Sequence, residues 1–315
     1  MRLRGFILLG ALWIGAPRFW AQERETLTYA VSDGQELCLD HYRAEGVAGL
    51  RPCVMFVFGG GFAAGERGNK YYQPYFDFLC REGYDVVSID YRLGMSEAMN
   101  DHGWKSGLVG MIDRMTKTVR WAAEDLLKAT AYVVEQADSW QVDTARIVAT
   151  GSSAGAVTVL QAEYLICSDD TLARVLPPGF NYGGIISFAG AIFSRHGHPR
   201  WKRKPCPIQL FHGTADAQVP YRKATHLGIG FWGSSYLAEQ LEEEGASYYF
   251  YDAANKTHQM ATEPMFRQQA EIREFMRQAV VEKRPMQVHK VVRDLSLPVQ
   301  KTNFKPQDYI RNNYK

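Results

Sequence analysis

The chain lacks the features that would tie it to a disulfide scaffold, a metal or a nucleic acid. Its 315 residues hold only five cysteines, Cys38, Cys53, Cys80, Cys167 and Cys206. The number is odd and the spacings are wide, so neither a disulfide framework nor a zinc knuckle can be read; a single bridge stays open. No H-E-x-x-H is present, and the His196/His198 pair lacks a third ligand, so no metal site is implied. The glycine run Gly59–Gly61 lacks a following G-K-[ST] and any G-x-G-x-x-G spacing, which weighs against reading it as a phosphate cradle. An excess of charge of one sign is missing too, with 36 Lys and Arg against 34 Asp and Glu. That balance removes the electrostatic case for a nucleic-acid partner.

Long apolar runs are also scarce. Gly5–Ala16 is an unbroken apolar stretch behind Arg2 and Arg4, too short to span a bilayer as a helix. With small Ala21 as a cleavage point, residues 1–21 read as a secretory signal peptide, and an uncleaved anchor is the rival reading. Removing them takes away three arginines and no acid, leaving 33 basic against 34 acidic residues. The mature protein is therefore expected to be secreted or periplasmic, without stable membrane insertion.

What is present is a succession of strand-like and helix-like segments. "TLTYAVS" and "ELCLDHYR" alternate as a half-buried hairpin around Asp33–Gly34. "CVMFVF", "DVVSID", "RIVATG", "GIISFAG", "PIQLFHG" and "SYYFYDA" follow, mostly as continuous apolar runs suited to parallel strands covered on both faces. Helical spacing falls near 70–82, 118–138, 154–167, 221–244 and 262–281. The alternation predicts one α/β domain over residues 22–281, with a mostly parallel sheet of about eight strands and helices on both faces. Residues 282–315 form a basic extension with eight Lys/Arg, three Asp/Glu and three prolines. It is either a strap across the body or partly disordered.

"IVATGSSAGAV" raises the question of a nucleophile. Only one register fits G-x-S-x-G, that of Gly151, Ser153 and Gly155. The glycines let the chain turn sharply from strand into helix, lifting the Ser153 hydroxyl above the sheet's carboxyl edge at a helix N-terminus. Ser152 is then a neighbour pointing elsewhere. A serine needs a base, and the base an orienting carboxylate, in the order serine, acid, histidine. Asp216 follows a strand in "FHGTADAQVP", and His258 follows the next in "YDAANKTHQM". Asp252 is the second-choice acid, too close to the histidine's own strand end to brace it, and His212 is read as packing the Asp216 turn. In "FVFGGGF", Gly60 and Gly61 can offer backbone N–H groups to an oxyanion, with the N–H of Ala154 as a third donor.

These residues resemble the α/β-hydrolase superfamily, and within it the carboxylesterases similar to hormone-sensitive lipase. The resemblance covers about residues 25–281 and rests on "GGGF" (Gly59–Phe62), "DYRL" (Asp90–Leu93), "GSSAG" and "HGTAD" (His212–Asp216), in the family's order. Phe58 stands where the family usually has His, and Ala156 where it has a further Gly. The resemblance implies a serine esterase without cofactor, acting through an acyl-enzyme; the preference for short-chain acyl esters is expected from the aromatic residues beside the nucleophile. Bacterial acetyl and feruloyl esterases on plant polysaccharide are among the relatives, so the substrate partner is a small-molecule or carbohydrate ester. A prolyl-type exopeptidase and a non-catalytic binding module are the competing readings. Phe58 and Phe62 are expected to wall a short acyl slot, with Met-rich Leu93–Met115, around Trp104, as its cover. The basic segment Ala191–Lys204, with Trp201, is either a substrate-facing wall or a solvated charge run.

Overall fold

Asp33 and Gly34 take positive φ angles of 52° and 77°. That backbone closes a tight reversal between β1 (Arg24–Ser32) and β2 (Gln35–Tyr42), an antiparallel pair. The structure, a computed structural model, describes residues 24–44, 46–96, 107–300 and 304–314. The signal peptide expected at 1–21 and the cover residues Asp101, His102, Trp104 and Lys105 lie outside the described residues. Along the chain follow β3 (Arg51–Val57), β4 (Asp85–Ile89), β5 (Val142–Ser152), β6 (Gly184–Phe188) and β7 (Ala191–Ser194). Then come β8 (Ile208–Gly213), β9 (Lys223–His226), β10 (Ile229–Gly233), β11 (Tyr248–Ala254) and β12 (Gln287–Arg293).

Nine of these strands form one sheet in the order β1-β2-β4-β3-β5-β6-β8-β11-β12. Every neighbouring pair from β4 to β12 is parallel, and β2 alone runs against the rest. All residues of β3, β4, β6, β8 and β11 are buried, as parallel strands flanked by helices must be. The flanking helices include α1 (Gln73–Arg81), α2 (Gly107–Glu135), α3 (Ala154–Cys167), α4 (Ser234–Glu243) and α5 (Gln269–Phe275); α6 (Pro306–Tyr314) comes last. α3 is the central one. It is buried at every position except Tyr164, mostly apolar with Gln161 and Glu163 buried among the rest, and it packs between α2 and the sheet.

The eight strands read from the sequence are all in the sheet, and the ninth comes from the basic extension. "QVHKVVR" pairs in parallel with β11 and is mostly exposed. Its charges suit an edge strand, where they discourage pairing with another chain. A second departure is the helix expected over 221–244. Residues 223–233 instead form the hairpin β9–β10, turning at Leu227 and Gly228 with positive φ, and pair with β7 in a separate three-stranded sheet. Only Ser234–Glu243 is helical. None of the five cysteines is joined to another in a disulfide. No helix among the described residues is long and apolar enough to cross a membrane.

The two motif glycines have a packing reason. A Cβ on Gly151 would sit 2.3 Å from the Gly155 carbonyl carbon, and one on Gly155 only 2.0 Å from the Val57 carbonyl oxygen. Strand β5, helix α3 and the end of β3 therefore touch backbone to backbone. Because the obstructing atoms are main chain, no side chain can move aside. Gly155→Ala is expected to destabilise the fold by about 3 kcal/mol, the upper end of overpacking costs. Urea denaturation measures it; a midpoint unchanged from the parent would show that the backbones do not meet this closely.

Candidate active site

The loops after β3, β5, β8 and β11 converge at the carboxyl edge of the sheet, where open α/β folds bind their ligands. Ser153 occupies the turn between β5 and α3 with φ 52° and ψ −114°. Such a conformation costs a non-glycine residue about 1–3 kcal/mol and persists only when its surroundings hold it. Here the Ser153 N–H donates to the Phe188 carbonyl and its own carbonyl accepts from the Val157 N–H, both at 2.9 Å. The hydroxyl is thereby presented to His258, whose Nε2 lies 2.9 Å from Ser153 Oγ. Ser152 is buried, and its hydroxyl packs beside the Gly59 backbone instead.

On its other side, His258 Nδ1 is 2.8 Å from Asp216 Oδ2. The carboxylate can only accept, so Nδ1 carries the proton and Nε2 is free to accept from the serine. Asp216 is buried in the turn after β8, and its Oδ1 accepts from the N–H groups of Gln218 and Val219 at 2.8 and 2.9 Å. His212 adds a further donor. Its Nε2 faces two acceptors, Asp216 Oδ2 and the Val219 carbonyl, both at 3.3 Å, so that nitrogen also carries a proton. Burial opposes ionisation of Asp216, but the hydrogen bonds from His212 and His258 outweigh it and hold the carboxyl well below the usual carboxylate range. Asp252 belongs elsewhere, 3.2 Å from His289 Nε2.

Gly60 and Gly61 line the same cleft as Ser153 and His258, an open cavity of about 460 Å³. Ala154 lies buried beneath, and as the first residue of α3 its N–H has no acceptor within the helix. The aromatic walls fall differently from the expectation. Phe58 and Phe62 are buried against Tyr91, with ring centroids 4.6 and 6.3 Å away, and neither lines the cleft. Tyr72 does, its hydroxyl accepting from the Gly59 N–H at 3.4 Å. No residue of 191–204 lines the cleft; Trp201 packs edge-on to Tyr164, while Arg195 and Arg203 pair with Asp113 and Asp169. The remaining wall was missed from the sequence altogether: Gln218, Ala261, Thr262, Asn312 and Asn313. Among the described residues no group of three or more His, Cys, Asp or Glu side chains is placed to hold a metal ion.

A depressed carboxyl value links the site to stability. Ionised Asp216 contributes above the unfolded carboxyl value of about 3.9, and the contribution is lost as pH falls below it toward the folded value. Asp216→Asn is expected to be less stable than the parent by about 2 kcal/mol at pH 5, in the range for hydrogen bonds to a charged group. The gap should narrow as pH is lowered to 3. Urea titrations of both proteins at the two pH values read it, and a gap that stays constant would contradict the assignment.

No family model matches the chain. A stretch of 118 residues, 38% of the chain, is 29% identical to esterase B1 of Culex pipiens and spans 19% of that protein's length. Solved structures of Thermogutta terrifontis esterase 2 match over most of the chain. Its apo form is 22% identical with a TM-score of 0.58, covering 82% of this chain and 94% of that one. Its propionate-bound form is 21% identical with a TM-score of 0.58, covering 85% and 96%. The strand order, the helices on the sheet and this likeness agree: the chain has the α/β-hydrolase fold of these esterases.

Proposed function

We propose that the protein is a serine carboxylic-ester hydrolase that works through an acyl-enzyme. The observation that carries the reading is the unbroken hydrogen-bonded chain from Ser153 through His258 to Asp216, on the floor of an open cleft beside the Gly60–Gly61 loop. His258 Nε2 takes the hydroxyl proton as Ser153 Oγ attacks the ester carbonyl carbon. The N–H groups of Gly60, Gly61 and Ala154 receive the oxyanion. Collapse of the tetrahedral intermediate breaks the bond to the alcohol, which leaves with the proton from His258. Water, deprotonated by the same nitrogen, then attacks the acyl carbon and releases the acid. Asp216 remains ionised throughout and stabilises the imidazolium. Support also comes from the structural neighbour, described as an esterase phosphonylated by sarin and solved with butyrate. Export to the periplasm or beyond belongs to the same reading and rests on residues 1–21 alone.

The nucleophile is tested directly. Ser153→Ala should lower kcat on p-nitrophenyl acetate on the order of 10⁶-fold, in effect abolishing turnover, whereas Ser152→Ala keeps most of it. A fluorophosphonate probe read by mass spectrometry should label Ser153. A label on Ser152, or an active enzyme that takes none, would sink the assignment.

For the substrate, we propose short acyl groups on a polar alcohol, carbohydrate esters included. Beside Ser153 and His258 the cleft is lined by Tyr72, Gln218, Ala261, Thr262, Asn312 and Asn313. Amide and hydroxyl groups beside one aromatic ring suit a hydroxylated alcohol better than a lipid chain, which needs an extended apolar trough. Each methylene that fits an apolar pocket is worth about 1–3 kcal/mol, so chain length is a sensitive probe. kcat/KM should peak between acetyl and butyryl esters and fall steeply by octanoyl. A maximum at octanoyl or longer would favour a lipase instead.

A further inference from the structure

The last helix, α6, touches both loops that serve the oxyanion and the acid. The Tyr314 hydroxyl donates to the Gly61 carbonyl at 2.6 Å. Just before it in the chain, Asn313 Nδ2 donates to the Gln218 carbonyl at 2.9 Å, and Asn312 Nδ2 donates to that of Ala217. These two carbonyls belong to the Asp216 turn. The helix is held down by the buried rings of Tyr309 and Tyr314, Tyr309 lying 4.3 Å from Phe231. Strands β3 and β8, which launch the two loops, are separated in the sheet by β5 and β6. α6 therefore bridges loops that the sheet itself keeps apart.

The bond to Gly61 falls on a sensitive place. Gly61 has φ 62°, and glycine explores such backbone freely unless something fixes it. The Gly60 carbonyl accepts from the N–H groups of Ala63 and Ala64 at 3.0 and 3.1 Å. In a trans peptide the Gly61 N–H points opposite to that carbonyl, so one of the two peptide planes flanking Gly61 is set from inside the loop. The other plane carries the Gly61 carbonyl, and Tyr314 holds it. The tyrosine ring also packs on Gly61, where a Cβ would lie 3.4 Å from it.

We infer that Tyr314 is a positioning residue for the oxyanion loop, acting on the Gly61 carbonyl from a helix that closes one side of the cleft. The inference rests on the esterase reading and goes beyond it, because it makes the basic extension a working part of the site. If the helix were only docked for stability, its two asparagines and the ring of Tyr309 would suffice, and the Tyr314 hydroxyl would not affect catalysis at constant binding.

The experiment uses the full-length chain with Tyr314→Phe, which keeps the ring and removes the hydroxyl. Losing a direct oxyanion donor typically costs about 10²–10³ in rate, and an orienting bond one step removed should cost about three- to tenfold. On p-nitrophenyl acetate, kcat should fall by that factor while KM stays within twofold, the pattern of a lost transition-state interaction. Inhibition by a trifluoromethyl ketone, which forms a tetrahedral oxyanion on the serine, should weaken by the same factor, and so should the rate of fluorophosphonate labelling. An unchanged kcat and inhibitor affinity, even with a lower melting temperature, would overturn the positioning role and leave the esterase reading standing. A parent protein that neither hydrolyses the ester nor takes the label would overturn both.

Discussion

The nucleophile and the oxyanion loop depend on one close approach, that of Gly155 in α3 to the backbone of β3. The space left for a Cβ there is 2.0 Å to the Val57 carbonyl oxygen and 2.6 Å to that of Phe58. Gly151 and Gly155 are nearly as tight against each other. With no side chains between them, the helix starts directly over the junction of β3 and β5. Ser153 must then cross from strand to helix in a single residue, at φ 52°. The same contact fixes where the loop after β3 begins, so Gly59 comes to lie against Ser153: a Cβ on it would be 3.3 Å from the Ser153 Cβ. Nucleophile and oxyanion loop are thus located by a single packing constraint.

The acid side is built on a different principle. A buried carboxylate is costly unless its lone pairs are occupied, and Asp216 has four donors: two backbone N–H groups and two imidazoles. His212 is the instructive one. It is fully buried on β8, with Nδ1 2.8 Å from the Ser234 hydroxyl. It shares the charge of Asp216 but bonds Ser234 and not the nucleophile Ser153. Because the carboxylate is already well supported without His258, that ring can take up and release a proton while Asp216 stays ionised.

How much of this could be read from the sequence follows from the range of each interaction. Ser153, Asp216 and His258 stand out because strand-then-loop punctuation places them, and the structure brings all three within hydrogen-bond reach. Most of the eight strands are readable for a related reason, since continuous apolar runs are demanded wherever both faces are covered, while β1 and β2 show the alternation of a half-buried hairpin. The hairpin at 223–233 escaped because its aromatic residues, Phe231 and Trp232, have no clear period and its turn, Leu227–Gly228, sits within what looks like an amphipathic stretch. β12 escaped because an edge strand need not be apolar, and "QVHKVVR" was weighed by its charge rather than by its pairing. Phe58 and Phe62 were placed on the right loop but on the wrong side of it. Loop residues carry no two- or three-residue period to say which face they turn, and both rings found a partner in Tyr91.

The extension shows the limit most plainly. Its contacts with the site join residues 253 positions apart for Tyr314 and Gly61, and 95 apart for Asn313 and Gln218. No periodicity or composition reports on such pairs, because each partner is locally unremarkable: a tyrosine at a helix end, an asparagine in a polar run, a glycine in a glycine run. What composition did show, many basic residues and three prolines, describes the segment's exposed side and its breaks between elements. The side that matters is the one that meets the loops, and there the segment offers neutral donors, a phenol and two amides, to backbone carbonyls. Neutral donors are what that position requires. A cation there would compete with the imidazolium for Asp216, and an anion would oppose the oxyanion, whereas a phenol and two amides can fix loop geometry without altering the charge balance on which the serine, the histidine and the aspartate depend.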